Sequence, residues 1–490
     1  MSTVVRRCCT FFTDSHLLGG PPANSAFAKT QTILRGGRRL SDVSRRGEVL
    51  ARGPLWLPVF FVVAACGGEE PPPEGIDTDV ATGGGIDFDT EDGPGPGADD
   101  GPKLDVGDGN GMGNGGDCPG SDGDPGENEF SVIWIANSPE GTVSKIDTVT
   151  ATELARYATG PDAPDPSRTT VNLQGDVAVA NRSGSVTKIA AEEERCIDAN
   201  ANGAIDTSQG PNDVLPWGED ECVLWHHDIP FNNNDNQGGP RGTAWDAGAD
   251  AAGCATANPH LWIGWRDQPD DVAIVRRLDG ATGTLDGEVV IPDWVGNWGH
   301  GPYGGAADAD GAYWGLGTLG TLIRIDPDTL DYERWENPEA HVMYGIAINA
   351  DGDPWLAGWD GGLWHFDRDT EQFIDMGGSD GGPSRFRGLM IDASGEAWIA
   401  GNNPCGLVRF DTQGGNLVNG AIDLPGCDEP VGVSIDVDGM VWVVDRGAST
   451  AYKVDPGDLS TVTVGGLVSP YTYSDMTGAG LGLVTNPPIE

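Results

Sequence analysis

Short apolar runs separated by polar turns fill the second half of the chain, and one pattern of this kind returns at regular intervals. Residues 344–358 read YGIAINADGDPWLAG, and related stretches begin at Tyr303, Arg387 and Val431. Each copy has an apolar run, a turn of the type Asp/Asn-x-Asp/Ser-Gly, and a second run that contains Trp. Apolar runs of this length between glycine turns predict antiparallel β-strands.

The interval between copies indicates how these strands are assembled. The Asp or Asn that opens each turn stands at 308, 349, 392 and 436, which gives spacings of 41, 43 and 44 residues. A period of about 40–45 residues is typical of the four-stranded blade of a β-propeller. Degenerate copies at 132–147, 170–189 and 241–265 complete the set. We therefore predict an all-β, seven-bladed β-propeller over residues 128–490, with a C-terminal strand that closes the first blade.

The N-terminal region has a different composition. Residues 54–66, PLWLPVFFVVAAC, follow Arg45, Arg46 and Arg52, and they form an apolar stretch too short to span a membrane. The ending VAAC resembles a bacterial lipobox, in which Cys66 would carry the lipid. We predict a lipoprotein signal segment over 1–66 and a disordered, acidic, Gly/Pro/Asp-rich linker over 67–127. Gly67 favours the outer membrane or cell surface of a Gram-negative bacterium as the destination.

Charge narrows the range of partners. The chain has 76 Asp and Glu against 28 Lys and Arg, a net charge of −48. Nucleic-acid binding requires a basic surface, so we expect no nucleic-acid partner. Contact with a membrane is expected through the N-terminal lipid alone. The ligand itself is left open between a small molecule, a glycan and a protein.

Export permits disulfides, and the predicted topology suggests which cysteines meet. Cys405 and Cys427 fall in loops on the same rim of one blade, so we expect them to pair. Cys196 and Cys222 flank an insertion over 191–221 and are expected to close its base. The pairing of Cys118 and Cys254 stays open.

The insertion contains a sequence with the spacing of calcium ligands. Residues 196–210 read CIDANANGAIDTSQG. Counted from the first Asp, this resembles an EF-hand or dockerin loop with oxygen ligands at positions 1, 3, 5 and 9 and glycine at position 6. Gln209 stands at position 12, where a bidentate Glu is expected. The loop is either a structural Ca²⁺ site or an Asn/Asp-rich turn without an ion; the four ligand candidates are Asp198, Asn200, Asn202 and Asp206.

Ligands of propellers usually bind at one end of the central channel. Residues just before the innermost strands, and residues of the loops beside them, are expected at that end. They either bind a ligand or only fill and hydrogen-bond the opening of the channel. The predicted ligand-binding residues are Arg241, Trp294, Trp298, Tyr303, Tyr344 and Arg387.

The repeat P-x-G-I-A-x-x-x-D-G-x-x-W resembles the streptogramin lyase (virginiamycin B lyase) propeller family and, more distantly, NHL-type propellers. The resemblance implies histidines just before two late innermost strands, a nearby glutamate, and Mg²⁺ as cofactor. The matching positions here hold Tyr303, Tyr344 and Val342. The histidines and glutamate of this chain stand three residues out of register, as His300, Glu339 and His341.

From these observations we predict an exported, lipid-anchored β-propeller that acts as a ligand-binding or interaction scaffold. One alternative is a Mg²⁺-dependent lyase that opens a C–O bond of a cyclic depsipeptide with His300, Glu339 and His341. Another alternative is a glycan-binding propeller that uses Trp265, Trp294 and Trp298.

Overall fold

The computed structural model describes residues 131–485, apart from 231–236, 249–258, 268–270, 296, 340 and 379–381. The predicted signal segment and linker lie outside the described residues. So do Cys66, Cys118 and Cys254, whose roles stay predictions. Within the described residues, seven antiparallel sheets follow one another along the chain. The predicted all-β, seven-bladed propeller is thus confirmed.

Six blades have four strands each in simple meander order, and the first has three. The first blade comprises β1 (Val132–Asn137), β2 (Thr142–Asp147) and β3 (Thr152–Ala158). The second comprises β4 (Pro166–Val171), β5 (Val177–Asn181), β6 (Ser185–Ile189) and β7 (Val223–Asp228). The third comprises β8 (Thr243–Trp245), β9 (His260–Asp267), β10 (Val272–Asp279) and β11 (Leu285–Ile291). The fourth comprises β12 (Pro302–Ala307), β13 (Tyr313–Gly317), β14 (Thr321–Ile325) and β15 (Tyr332–Glu336). The fifth comprises β16 (Met343–Ile348), β17 (Pro354–Gly358), β18 (Leu363–Asp367) and β19 (Gln372–Gly377). The sixth comprises β20 (Arg385–Ile391), β21 (Glu396–Asn402), β22 (Gly406–Asp411) and β23 (Asn416–Ile422). The seventh comprises β24 (Pro430–Ile435), β25 (Val441–Asp445), β26 (Thr450–Val454) and β27 (Thr461–Val464).

The repeated turn owes its spacing to one carboxylate. Asp392 accepts hydrogen bonds at one oxygen from the backbone N–H groups of Ser394 and Glu396, both at 2.9 Å. Its other oxygen accepts the indole N–H of Trp398 at 2.8 Å. Gly395 supplies the left-handed backbone (φ +80°) that the turn requires. The same carboxylate–indole bond joins Asp308 to Trp314 and Asp436 to Trp442.

The C-terminal segment closes the ring, as predicted, by lying beside β1. Pro470 forms a bridge with Asn137, and the backbone N–H of Tyr471 donates to the carbonyl of Ala136 at 2.9 Å. The N–H of Trp134 donates to the carbonyl of Met476 at 3.0 Å. The contact is irregular rather than a continuous ladder, but it protects the inner edge of the first blade.

A short helix, α1 (Ala479–Thr485), follows the closing segment and was not expected from the sequence. It packs against the innermost strands β12 and β16. Leu481 and Val484 belong to the same buried apolar cluster as Ile346 and Ile348. The carboxylate of Asp475 accepts the N–H groups of Gly478 and Leu481. No helix among the described residues is long and apolar enough to cross a membrane.

Both disulfides predicted from topology are present. Cys405 and Cys427 are bonded with their Cα atoms 5.9 Å apart. Cys196 and Cys222 are bonded with a Cα–Cα distance of 4.4 Å, at the base of the insertion.

Candidate functional site

Four tyrosines meet at the end of the channel where the innermost strands begin, which we call the channel mouth. Tyr303 and Tyr344 belong to β12 and β16, while Tyr471 and Tyr473 come from the closing segment. The rings of Tyr303 and Tyr344 lie 5.1 Å apart between centroids, and Tyr473 lies 4.5 Å from Tyr344. The hydroxyl of Tyr471 is 3.2 Å from that of Tyr303 and 2.5 Å from that of Tyr344. The hydroxyl of Tyr471 is thus within hydrogen-bonding distance of two other phenols.

Arg168 of β4 lies inside this tyrosine cluster and is completely buried. Its guanidinium faces the rings of Tyr303 and Tyr473. It donates to the backbone carbonyls of Ser167 and Tyr303 at 2.9 and 3.2 Å, while its Nε has no partner. Burial lowers the pKa of Arg168 to about 9, against the opposing effect of the surrounding phenols. This guanidinium pairs with no carboxylate of the described residues, and carbonyl groups and aromatic rings offset only part of the cost of burying its charge.

The charge of Arg168 affects the pKa values of the tyrosines unequally. Burial raises the pKa of Tyr303 and of Tyr344 well above the ordinary phenol value, and the neighbouring phenols add to this effect. For Tyr471, burial also acts to raise the pKa, but the charge of Arg168 and the two hydroxyl hydrogen bonds outweigh it and lower the pKa. Tyr471 is therefore the phenol of this cluster that most readily carries a negative charge.

Further arginines surround the cluster at the rim. Arg182 pairs with Asp165, Arg387 donates to Glu429 at 2.9 Å, and Arg446 contacts Glu429 at 3.4 Å. Arg182, Arg446 and Asp165 line a cavity together with Tyr471. This cavity has a volume of about 220 Å³ and opens to solvent. The complete lining is Ser138, Pro139, Asp165, Arg182, Arg446, Ser469 and Tyr471.

His300 and Arg241 flank the cluster on the side of the third blade. His300 is 5 % exposed, its ring lies 4.7 Å from that of Tyr303, and its Nδ1 donates to the carbonyl of Gln237 at 2.7 Å. Burial, and then the charge of Arg241, lower the pKa of His300 to about 3. Arg241 is also buried and donates to the carbonyls of Gln237 and Gly239. His300 is thus a neutral imidazole that donates from Nδ1.

Glu339 and His341 are in contact with each other. His341 Nε2 is 3.2 Å from the carboxylate of Glu339, and its ring packs 5.1 Å from that of Trp364 in the third strand of the fifth blade. Among the described residues, no hydrogen bond or ring contact joins His300 to either of them. The structure therefore does not bring the three displaced lyase candidates into one group.

The residues do not fit a Mg²⁺ site of the kind that the family resemblance implies. Mg²⁺ prefers carboxylate oxygens and water. The in-register positions hold Tyr303, Tyr344 and Val342, none of which supplies a carboxylate.

The tryptophans predicted for ligand binding have different environments. Trp294 is 1 % exposed and donates its indole N–H to the carbonyl of His300 at 3.0 Å, and Trp265 is equally buried. Trp298 is 49 % exposed and lies edge-on to Trp359, with ring centroids 5.9 Å apart. Trp359 in turn stacks on Tyr344 at 5.4 Å. Trp298 alone of the three predicted tryptophans presents a ring to solvent.

The insertion brings its four oxygen-bearing side chains together. Asp206 accepts the amide N–H groups of Asn200 and Asn202 at 2.8 and 2.9 Å. Asp198 accepts the backbone N–H groups of Asn202 and Gly203. Glu221, which the sequence did not suggest as a site residue, also stabilises the loop. Its carboxylate accepts the backbone N–H groups of Ala199, Asn200 and Asp206.

Comparison with known proteins bears on the fold. No family model and no curated protein matches this chain. Similar solved structures include virginiamycin B lyase from Staphylococcus aureus, with 13 % identity, coverage of 64 % of this chain and 89 % of the other, and a TM-score of 0.45. A streptogramin B lyase has 16 % identity, coverages of 65 % and 88 %, and a TM-score of 0.47. A protein of unknown function from Bacteroides caccae has 10 % identity, coverages of 60 % and 93 %, and a TM-score of 0.39. These similarities carry no information on function, and the seven-bladed fold follows from the strand order of the chain itself.

Proposed function

We propose that this protein is an exported, lipid-anchored β-propeller that binds a ligand at the channel mouth and serves as a binding or scaffold module. The observation that supports this function is the tyrosine–arginine cluster with an open cavity beside Tyr471. Its groups are held by packing and by one another, as expected of a preformed recognition surface. Such a surface fixes a ligand without requiring a proton-transfer group.

The same geometry argues against general-base catalysis by the residues that the lyase resemblance points to. A catalytic base needs a pKa near the working pH and a position within hydrogen-bonding reach of the substrate. His300 has a pKa of about 3 and uses its Nδ1–H on a backbone carbonyl. Burial raises the pKa of Tyr303 and Tyr344, so neither phenol ionises easily. His341 contacts Glu339 and Trp364, and among the described residues none of its hydrogen bonds or ring contacts joins it to the tyrosine cluster.

A lyase assay tests this part of the proposal. Purified protein, supplied with Mg²⁺ and a streptogramin-type cyclic depsipeptide, should show no ring opening by mass spectrometry. Turnover that disappears in both His300→Ala and His341→Ala would overturn the binding-module function and establish the lyase. Turnover that is unchanged in both variants would place catalysis at another site.

A binding screen tests the positive part. Small-molecule and glycan libraries should yield ligands whose affinity falls in Tyr471→Phe, because that change removes the hydroxyl at the cavity. Tyr332→Phe, on the exposed outer strand β15, is the matched control and should bind as the unmodified protein does. Ligands that bind Tyr471→Phe unchanged would contradict a site at the channel mouth. Glycan ligands that are lost in Trp298→Ala would favour the glycan alternative, since Trp298 is exposed at this rim.

A further inference from the structure

Three arginines surround the ring of Tyr471 beside the cavity. The guanidinium carbons of Arg182, Arg446 and Arg168 lie 5.2, 5.6 and 6.0 Å from the centroid of the Tyr471 ring. The carboxylates in ion pairs with the two rim arginines are Asp165 and Glu429, and Glu429 is shared with another arginine, Arg387. Arg168 has no ion pair with a carboxylate of the described residues. In a chain of net charge −48, three arginines around one aromatic ring form a local concentration of positive groups.

Arg168 also occupies a position that is glycine in the other repeats. Counted from the Asp or Asn of the turn, the position four residues earlier holds Arg168 in the second blade and glycine in the third to seventh, namely Gly242, Gly304, Gly345, Gly388 and Gly432. Glycine is needed there because adjacent inner strands approach closely. A Cβ on Gly345 would lie 2.4 Å from the carbonyl oxygen of Arg387, and one on Gly432 would lie 1.9 Å from that of Thr472. At this position the second blade accommodates a long cationic side chain, whereas the third to seventh blades have glycine, which has no side chain.

This substitution is costly unless something compensates the charge. A buried guanidinium loses its hydration, and two backbone carbonyls repay only part of that loss. Its Nε stays without a hydrogen-bond partner. Packing alone would be served by an apolar side chain, so the charge itself needs an explanation. The rings of Tyr303 and Tyr473 and the phenol of Tyr471 compensate part of this charge, and a negative group bound next to Tyr471 would add to that compensation.

We propose that the Tyr471 cavity binds a small oxyanion, a carboxylate or a phosphate group, between Arg182 and Arg446 and against the hydroxyl of Tyr471. Guanidinium groups match the planar, bidentate geometry of such anions and form charge-assisted hydrogen bonds with them. Arg168 adds its charge from beneath the phenol. The volume of about 220 Å³ admits a small acid or the acidic end of a larger ligand. This inference deepens the proposed binding function and names the ligand class.

Titration calorimetry at constant ionic strength tests it with sodium benzoate, sodium acetate and inorganic phosphate as probes. Benzamide has the shape of benzoate without its charge and serves as the neutral reference. At least one of the anions should bind, and benzamide should not. Arg446→Gln should weaken that binding about tenfold or more, since a hydrogen bond to a charged group contributes strongly. Arg446 is partly exposed, so this variant is expected to fold.

Arg334→Gln is the matched control, because Arg334 pairs with Glu336 on an outer strand and should leave anion binding unchanged. The preferred anion distinguishes a carboxylate from a phosphate ligand. No binding by any of the three anions, or equal binding of benzoate and benzamide, would overturn the oxyanion site. Binding that is indifferent to Arg446→Gln would overturn it as well. None of these results would by itself remove the proposed binding function, which the lyase assay and the library screen test separately.

Discussion

A buried neutral histidine should make the stability of this propeller depend on pH in a defined way. Burial and the neighbouring charge of Arg241 lower the pKa of His300 to about 3, whereas a histidine in the unfolded chain titrates near 6.5. Between those two values the unfolded chain binds more protons than the folded protein, so acidification favours unfolding. Protonation of this histidine in the unfolded chain lowers the free energy of unfolding by about 2 kcal/mol between pH 7.5 and pH 5.

The comparison of the unmodified protein with His300→Asn isolates this contribution. Asn keeps an amide N–H for the carbonyl of Gln237 but cannot titrate, and its smaller volume adds an offset that does not depend on pH. Urea unfolding at pH 7.5 and pH 5 should show the unmodified protein losing about 2 kcal/mol more than the variant. The other histidines contribute equally to both proteins. Two proteins with the same loss of stability would refute the assignment of His300 as a buried, neutral imidazole.

Two further predictions concern the insertion and the N-terminus. Asp198→Ala with Asn202→Ala should abolish any calcium-dependent rise in melting temperature and leave the ring folded, because the loop lies outside the seven sheets; a melting curve of the unmodified protein that chelator never changes would rule out a structural Ca²⁺. Cys66→Ser should prevent acylation and move the protein from the membrane fraction to the soluble fraction. Full membrane retention of that variant would rule out the lipid anchor.

The fold was predictable because each repeat is maintained by contacts between residues that are close in sequence. One carboxylate, such as that of Asp392, holds both its own turn and a tryptophan six residues later, so the spacing is visible in the sequence. The disulfide partners followed from the alternation of strand direction, which places alternate loops on one rim. Helix α1 was not predictable in this way. Its glycine-rich sequence has weak helix propensity, and it is stabilised by the packing of Leu481 and Val484 against strands distant in sequence.

The site was predicted less completely than the fold. Counting back from the repeated turn correctly places Tyr303, Tyr344 and Arg387 near the channel mouth, because the start of each innermost strand has a fixed location in a propeller. The orientation of a loop side chain has no such rule, and Trp294 proves to be buried. Arg168 was missed although the sequence carried a signal, namely an arginine at a position where five other repeats have glycine.

Tyr471 was missed because it lies in the C-terminal closing segment, outside the repeated sequence pattern. Its position in that segment has a physical consequence. It reaches the channel mouth only when the C-terminal segment lies along β1, through the bond from its own N–H to the carbonyl of Ala136. The cavity beside it takes its other walls from the first, second and seventh blades, with Asp165 and Arg446 on opposite sides of the closure. The site therefore exists only in the closed ring. A ligand that binds there must stabilise closure by mass action, since it binds the folded protein and not the open chain. Closure of the propeller and formation of this cavity are thus one structural event.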